Sequence, residues 1–250
     1  MTGTVHLVGA GPGAPDLLTL RAARLLGDAD IVFHDALVPR EILKLIGRGK
    51  TVAVGKRSGR LSTAQQFINK QLLDAAKRYR TVVRLKGGDP MLFGRAHEEI
   101  EFLIARGIPV EVVPGVTAAL AASAELRVSL TQRGISRSVT FVTPRVAEGA
   151  RASSWVAAVM AADTAAIYMG AGEGAAIAAS LLGAGKPAST PVAVVENASL
   201  PGIAVRFGTL AILAELAPRE TSGPALILLG EVYAEAAFQA ARCLPRTRTA

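Results

Sequence analysis

Over its first 126 residues the chain repeats one pattern five times: an apolar segment, a loop rich in glycine, proline or charged residues, and a helix. The apolar segments are predicted to be strands at residues 5–8, 30–33, 51–54, 81–85 and 110–113. The helices that follow them are predicted at residues 16–26, 40–46, 64–78, 93–105 and 117–126. Strands that alternate with helices favour a parallel sheet, so residues 1–114 are predicted to form an α/β domain. Ligands bind such a sheet at the carboxyl ends of its strands.

A second α/β domain is predicted over residues 115–235, because Pro114 and Gly115 resemble a hinge. Its strands are predicted at residues 138–142, 165–169, 192–195, 204–207 and 225–229, with helices around 155–161, 174–182 and 210–216. Residues 236–250 are basic and uninformative, so we expect a flexible tail there.

The cysteine usage and the apolar runs favour a cytoplasmic protein. Cys243 is the only cysteine, so no internal disulfide can form, which fits a reducing compartment. The chain starts without a basic segment ahead of its first strand, so no signal peptide is expected. No apolar run reaches the ~18–20 residues that a membrane helix needs, and no membrane partner is expected.

The charge balance favours an anionic partner. The 28 basic residues outnumber the 20 acidic ones, which gives a formal net charge of +8. There is no long run of lysine or arginine, and three tyrosines and one tryptophan allow little interleaving of basic and aromatic residues. A small polyanion therefore ranks above nucleic acid. The three histidines, His6, His34 and His97, lack metal-ligand spacing, so no metal site is predicted.

The loop after the fourth strand is the strongest candidate for a binding site. Gly87 and Gly88 allow positive φ and leave the backbone open to a ligand, while Pro90 pushes Asp89 into an extended conformation. A tight turn alone would explain one glycine and one proline. It would not explain the cations around the loop, which are Arg84, Lys86 and Arg95.

Two other strand ends carry candidate residues. Residues 9–14 partly match a dinucleotide-binding fingerprint, but Pro12 removes an amide that would face a pyrophosphate, and no acidic residue ends a second strand at the expected spacing. We therefore interpret residues 11–13 as a Gly-Pro-Gly turn that lines a pocket. Asp35 ends the second strand, where it is a site residue or the cap of the next helix, with equal support for both.

The loop at residues 55–60 carries three cations and two glycines, which fits either an anion-binding loop or a solvated basic turn. Ser62 or Thr63 is predicted to cap the helix that follows. The apolar stripe of that helix is predicted to be core and consists of Phe67, Leu72, Leu73 and Ala76.

Taken together, the strand-end motifs resemble those of the tetrapyrrole methylase family, whose members use S-adenosylmethionine. They run in order over nearly the whole chain: Val-Gly-Ala-Gly-Pro-Gly at 8–13, Leu-Leu-Thr at 17–19, His-Asp-Ala-Leu-Val at 34–38, Val-Gly-Lys-Arg at 54–57, Arg-Leu-Lys-Gly-Gly-Asp-Pro at 84–90, Phe-Gly-Arg at 93–95, Val-Pro-Gly-Val-Thr-Ala at 113–118, Thr-Gln-Arg at 131–133, Tyr-Met-Gly at 168–170 and Val-Glu-Asn at 195–197. The run at 84–90 resembles the branch of the family that methylates uroporphyrinogen III.

This resemblance implies two α/β domains with the active site in the cleft between them, and a homodimer. It implies methyl transfer from S-adenosylmethionine to carbons 2 and 7 of uroporphyrinogen III, which gives precorrin-2 via precorrin-1. It also implies that the cofactor lies against Pro12, Gly87, Gly88, Asp89, Leu92, Thr117, Ala118, Met169 and Ala198. The implied catalytic residues are Asp35 and Lys56 for proton handling, and Arg95, Glu98 and Arg133 near the tetrapyrrole.

The chain departs from the usual family pattern around both implied ligands, at Ala14, Leu61, Ala96, His97, Gln132, Pro144, Arg145 and Ala198. Three alternatives therefore stay open. The first is a methyltransferase of the same family that acts on a different precorrin. The second is a non-catalytic tetrapyrrole carrier, and the third is an RNA-modifying relative with a basic surface.

Overall fold

The computed structural model describes residues 2–54, 61–146, 154–217 and 223–243. The chain divides into two compact units, Met1–Ala118 and Ala119–Ala250. Each unit holds one five-stranded sheet with its own apolar core. The structure thus confirms an α/β fold, and the two sheets differ in how their strands run.

The first unit contains a fully parallel sheet. Its strands are β1 Thr4–Gly9, β2 Ile31–His34, β3 Lys50–Ala53, β4 Thr81–Lys86 and β5 Val110–Val113. They lie in the order β3-β2-β4-β1-β5, with every neighbouring pair parallel. The prediction of a parallel sheet is confirmed. Because all strands point the same way, their five carboxyl ends meet along one edge.

The helices of this part of the chain are α1 Leu20–Asp28, α2 Arg40–Leu43, α3 Leu61–Ala76, α4 Ala96–Ile104 and α5 Ala118–Leu126. Helix α1 begins later than predicted because the Thr19 hydroxyl accepts the N–H of Ala22 and caps it there. Helix α4 also begins later, since Phe93 and Arg95 both have positive φ and interrupt the helical path. Helix α3 begins at Leu61, so the capping prediction for Ser62 and Thr63 is wrong.

The predicted apolar stripe of α3 is wrong at one position. Leu72 and Ala76 are fully buried, but Phe67 is 61% exposed. The polar residues Gln65 and Asn69 are buried on this helix instead. Gln65 bonds to Asn69 and to a buried acid on α4, so a hydrogen-bond network turns these amides inward and leaves Phe67 outside.

The second unit contains a mixed sheet. Its strands are β6 Val139–Val142, β7 Thr164–Tyr168, β8 Pro191–Glu196, β9 Ala204–Thr209 and β10 Ala225–Gly230. The order is β6-β7-β10-β8-β9, in which β6 and β7 are parallel and the other neighbours are antiparallel. Its remaining helices are α6 Trp155–Ala161, α7 Gly174–Gly183, α8 Leu213–Leu216 and α9 Ala234–Cys243.

Helix α9 occupies the first part of the segment that is expected, from the sequence, to be a flexible tail. Residues 244–250 lie outside the described part of the chain. Among the residues that the structure describes, none of the helices has the length and apolar character to span a membrane.

Candidate functional site

The carboxyl ends of β1 and β4 are joined backbone to backbone by two glycines. The N–H of Gly88 donates to the carbonyl of Gly11 at 2.7 Å, and the N–H of Gly11 donates back to Gly88 at 3.2 Å. The loop after β5 comes equally close, since a Cβ on Gly9 would lie 2.6 Å from the Cα of Gly115. A side chain at Gly9 or Gly115 would therefore collide with main chain.

The adjoining Gly87–Gly88 segment faces open space. Gly88 has a φ of +67°, and among the described residues no atom lies within 4 Å of where its Cβ would be. A Cβ added to Gly87 would meet the Cβ of Leu37 at 3.5 Å, which is ordinary van der Waals contact. Gly88 thus presents a bare peptide group beside free volume, where a compact ligand could contact the backbone directly.

Asp89 fastens this loop with both carboxylate oxygens. Oδ1 accepts the N–H of Met91 at 2.8 Å, and Oδ2 accepts the N–H of Gly115 at 2.9 Å. The N–H of Leu92 donates to the Asp89 carbonyl at 3.3 Å. The side chain of Asp89 therefore holds the loop after β4 to the loop after β5. Pro12, from the loop after β1, is half-buried at the same edge of the sheet.

Asp35, at the end of β2, forms an ion pair with the side chain of Arg84. Its Oδ1 lies 2.5 Å from Nη2 of Arg84, and its side chain is 29% exposed. Pro39 precedes helix α2, which has no side-chain cap. The interpretation of Asp35 as a helix cap is therefore wrong, and its carboxylate belongs to a charged cluster.

The centre of this cluster is Glu99, a residue that the sequence analysis missed. Its side chain is fully buried and accepts hydrogen bonds from Arg84 Nε at 3.1 Å, from Lys86 Nζ at 3.0 Å and from Gln65 Nε2 at 3.1 Å. A signal for it existed: Arg84 and Lys86 are two apart on one strand and share a face, so burying both demands an anion nearby.

The charges in the cluster shift one another. Burial, together with the nearby positive charge of Arg84, lowers the pKa of Lys86 despite its contact with Glu99. Burial also works against the charge of Arg84, but Asp35 and Glu99 outweigh it and raise the pKa of the guanidinium. Arg84 is therefore a fixed cation between two carboxylates.

Arg95 and Glu98 form a second ion pair beside this cluster. Arg95 lies just before α4 in the left-handed conformation, with a φ of 55°. Its Nε and Nη2 each donate to one oxygen of Glu98 at 2.7 Å. These hydrogen bonds lower the pKa of Glu98 and raise that of Arg95. Both side chains are more than 40% exposed, so the pair faces solvent.

In the second unit, Met169 and Ala198 follow strands β7 and β8 at the same edge of the mixed sheet. Met169 has a φ of 55° and is 39% exposed, whereas Ala198 is buried. The Tyr168 hydroxyl accepts the N–H of Ala119 at 3.1 Å, which ties the first turn of α5 to the end of β7. Thr117 and Ala118, two further predicted cofactor residues, directly precede Ala119 in the chain.

The structure does not bring Arg133 together with Met169 and Ala198. Arg133 is exposed in a turn closed by paired backbone bonds between Gln132 and Ser136. The Ser136 hydroxyl bonds to that of Thr164, the first residue of β7, at 2.9 Å. The turn is therefore anchored at the end of β7 opposite to Met169. The loop cations Lys56, Arg57 and Arg60 lie outside the described residues.

The sequence matches one protein family over most of its length. Residues 4–214 match the family model described as Tetrapyrrole (Corrin/Porphyrin) Methylases. The chain is 45% identical over 232 residues to a siroheme synthase of Psychrobacter cryohalolentis, covering 92% of this chain and 44% of that protein. It is 46% identical over 233 residues to a siroheme synthase of Pseudomonas fluorescens, covering 92% and 50%. The chain thus spans about half the length of the curated relatives it matches.

Solved structures match over their whole length. A uroporphyrin III C-methyl transferase from Thermus thermophilus is 42% identical, with a TM-score of 0.81 and coverage of 93% of this chain and 100% of that chain. The same enzyme complexed with S-adenyl homocysteine matches equally well. A cobalt precorrin-4 methyltransferase is 24% identical with a TM-score of 0.78, covering 92% of this chain and 95% of that chain, a likeness that shows the fold alone.

Proposed function

Since the chain belongs to the tetrapyrrole (corrin/porphyrin) methylase family, we propose that it methylates uroporphyrinogen III at ring carbons 2 and 7, with S-adenosylmethionine as methyl donor. Precorrin-1 is then the first product and precorrin-2 the second. The observation that carries this proposal is the full-length match to a uroporphyrin III C-methyl transferase. The siroheme synthases that the chain matches over about half of their length are consistent with this proposal.

The described residues fit a compact cofactor at the carboxyl edge of the parallel sheet. Gly87 and Gly88 leave open volume beside their peptide groups, and Asp89 holds that loop in place through Met91 and Gly115. The complex of the Thermus thermophilus enzyme with S-adenyl homocysteine supports the choice of cofactor. The proposed contacts are Pro12, Gly87, Gly88, Asp89, Leu92, Thr117, Ala118, Met169 and Ala198.

Bound S-adenosylmethionine supplies an electrophilic methyl group: the electron pair of a ring carbon forms the new C–C bond, the C–S pair stays on sulfur, and the methylated ring releases one proton. The protein has to align ring carbon and methyl group, which is a positioning task. Asp35 reaches solvent at the same edge and carries a carboxylate, so we assign proton handling to it. Lys56 is proposed to assist.

The substrate's eight carboxylates need cations. Arginine binds carboxylates through two parallel hydrogen bonds, and Arg95 and Arg133 both expose their side chains. Since the turn of Arg133 lies at the end of β7 opposite to Met169, we propose Arg133 for a carboxylate distant from the cofactor. Glu98 accepts hydrogen bonds from Arg95 and so holds the guanidinium in one orientation before the substrate binds. The net charge of +8 would attract the substrate at long range.

We also propose that the protein is a homodimer. Several large apolar side chains of the first unit are exposed and are therefore available to a partner surface. The most exposed are Leu20 at 79%, Leu37 at 62%, Phe67 at 61%, Met91 at 59% and Ile104 at 59%. Light scattering after size-exclusion chromatography should give twice the mass of the 250-residue chain, and a single-chain mass would contradict the dimer.

The function is tested by anaerobic incubation with uroporphyrinogen III and S-adenosylmethionine, followed by oxidation and mass analysis. A gain of two methyl groups supports the proposal. The variant Asp35→Asn should slow product formation while still binding S-adenosylhomocysteine. Arg133→Ala should raise the KM for uroporphyrinogen, and Arg137→Ala, an exposed arginine four residues away, serves as its matched control.

A protein that binds S-adenosylhomocysteine but leaves uroporphyrinogen III unmethylated would contradict this substrate. Later precorrins would then be the substrates to screen, because the same fold occurs in a cobalt precorrin-4 methyltransferase. Absence of S-adenosylhomocysteine binding would contradict the proposed cofactor site itself.

A further inference from the structure

Three buried charges lie next to the proposed site, and their side chains bond to one another and to Asp35. Arg84 is 2% exposed, Lys86 is 3% exposed and Glu99 is 0% exposed. Each buried ion costs several kcal/mol of desolvation, and apolar residues of similar size often stabilise a core equally well. Stability alone therefore does not account for this cluster.

The cluster reaches the surface through the carboxylate of Asp35. Arg84 binds Glu99 through Nε and Asp35 through Nη2, so one flat guanidinium connects the buried acid to the acid at the surface. A guanidinium is planar and rigid, so fixing one of its edges fixes the direction of the others. Of the four charged residues in the cluster, Asp35 alone has a substantially exposed side chain.

Glu99, at the inner end of the cluster, is held from two other elements, β4 and α3. Lys86 on β4 donates to both oxygens of Glu99 at 3.0 Å, and Gln65 on α3 donates to Oε1. Gln65 is in turn bonded to Asn69 at 3.0 Å. Glu99 therefore cannot rotate without breaking several buried hydrogen bonds, and leaving buried polar groups unpaired is costly.

We propose that Arg84, clamped by Glu99, is a positioning residue that aims the Asp35 carboxylate at the methylated ring. This inference rests on the proposed function, in which Asp35 accepts the proton that the ring releases. Arg84 itself touches neither substrate nor cofactor and acts through Asp35. The cations of the cluster balance its two carboxylates, so the arrangement keeps Asp35 fixed without leaving an uncompensated charge inside.

A double-mutant cycle tests this directly. Arg84→Gln should lower kcat by about ten- to a hundredfold, the loss expected from misplacing a catalytic group by about 1 Å. The dissociation constant of S-adenosylhomocysteine should stay within about twofold. In the Asp35→Asn background, Arg84→Gln should have little further effect on kcat, because the group that it positions is already gone. Arg106→Gln, an exposed arginine that follows α4, is the matched control and should keep wild-type kcat.

Equal losses from Arg84→Gln in both backgrounds would overturn the inference, since Arg84 would then act independently of Asp35. So would a weakened affinity for S-adenosylhomocysteine with kcat unchanged. If Arg84→Gln fails to fold, Arg84→Lys replaces it. Lysine keeps the positive charge but lacks the planar guanidinium that bonds to Glu99 and Asp35 at once.

A crystal structure of the Arg84 variant separates this inference from the proposed function. Reorientation of the Asp35 carboxylate, with an unchanged backbone, supports positioning even if uroporphyrinogen III proves not to be the substrate. An Asp35 side chain that stays in place overturns it even if the wild-type protein methylates uroporphyrinogen III.

Discussion

The central strands of the two sheets differ in what they bury. Strand β4 is the third strand of the parallel sheet and carries Arg84 and Lys86 in its buried second half. Strand β10 is the third strand of the mixed sheet, and its equally buried second half, residues 228–230, carries no charge. Both strands have six residues with the same burial pattern, so the difference lies in the chemistry of the side chains.

This comparison shows two ways of building a strand-end site. The first unit places charges inside its sheet and delivers one carboxylate, Asp35, to the surface. The second unit keeps an apolar centre and shapes its edge through the backbone, with positive φ at Met169, Asn197 and Ser199. The proton handling that we propose for Asp35 uses the first arrangement, and the cofactor contact that we propose for Met169 uses the second.

The largest difference in stability between variants of the two units is expected for glycines at the carboxyl edges of their sheets. A Cβ on Gly115 would lie 2.3 Å from the Gly88 carbonyl oxygen, so Gly115→Ala should destabilise by more than about 4 kcal/mol. A Cβ on Gly170 would meet side-chain tips instead, of Ile177 at 2.8 Å and Ile227 at 3.1 Å. Gly170→Ala should therefore cost about 1–3 kcal/mol, as overpacking does. Chemical denaturation measures both.

Gly27→Ala is the control for these glycine variants. Gly27 lies in helix α1, and among the described residues no atom lies within 4 Å of its Cβ position, so alanine should stabilise by about 0.5–1 kcal/mol. Equal losses of unfolding free energy for Gly115→Ala and Gly170→Ala would contradict the comparison. They would mean that backbone atoms around Gly115 and side chains around Gly170 tolerate a methyl group equally well.

The next effect concerns buried glutamates. Glu99→Gln leaves Arg84 and Lys86 buried with reduced compensation, so a loss of about 3–5 kcal/mol in unfolding free energy is expected. Glu196 in the second unit pairs with Arg206, whose side chain is 38% exposed and can regain water. Glu196→Gln should therefore cost less than Glu99→Gln, because Arg206, the cation that loses its partner, can be hydrated. A larger cost for Glu196→Gln than for Glu99→Gln would reverse the comparison of the two sheets.

A smaller effect is expected at the tyrosine of the second unit. Tyr168→Phe removes the acceptor of the Ala119 N–H, a hydrogen bond worth about 1 kcal/mol, and keeps the edge-to-face contact with Phe141. Because Met169 and Ala118 are proposed cofactor contacts, the affinity for S-adenosylhomocysteine should fall about fivefold, the factor that this free energy corresponds to. Calorimetric titration measures this, and an unchanged affinity would show that this tie does not shape the cofactor site.

The smallest effect is expected from the exposed pair of Arg95 and Glu98. The pKa of Glu98 is lower in the folded state than in the unfolded state, because Arg95 donates to its carboxylate. The stabilisation is therefore complete above the unfolded pKa and is lost as the pH falls through the folded pKa. Glu98→Gln should lower the melting temperature by roughly 1–2 °C at neutral pH, and this difference should shrink as the pH falls below the unfolded pKa. A pH-independent difference would mean that Glu98 stabilises the fold by other means.

Much of the fold can be predicted from the sequence because short, mostly apolar strands alternate regularly with helices. The ends of elements are less predictable. The sequence predicts that helix α4 begins at Phe93, yet Phe93 and Arg95 adopt positive φ, which neither residue type favours. The loop that precedes α4 is bonded through Asp89 to Gly115, 26 residues away, and such contacts between distant residues are invisible to local patterns.

The candidate site can be predicted where the residue type itself indicates a role at a strand end, as for Asp35 and the Gly87–Gly88 pair. Glu99 escapes sequence reasoning because an acid within a helix usually faces solvent. Its burial follows from Arg84 and Lys86 on β4. The exposure of Phe67 has the same origin, since Gln65 and Asn69 turn inward to complete the network. A buried polar cluster thus displaces the apolar stripe that periodicity predicts.

The strand order carries a consequence for how the first unit assembles. Strand β1 is synthesised first, yet Thr4 pairs with Thr81 and Val5 with Val110, so both of its edges wait for segments made much later. Such distant pairings close slowly, because the entropy of a long loop is lost before the contacts form. Arg84 and Lys86 enter the sheet with β4 itself. We therefore expect these two cations to lose their water as β4 docks into the sheet, late in the assembly of the first unit.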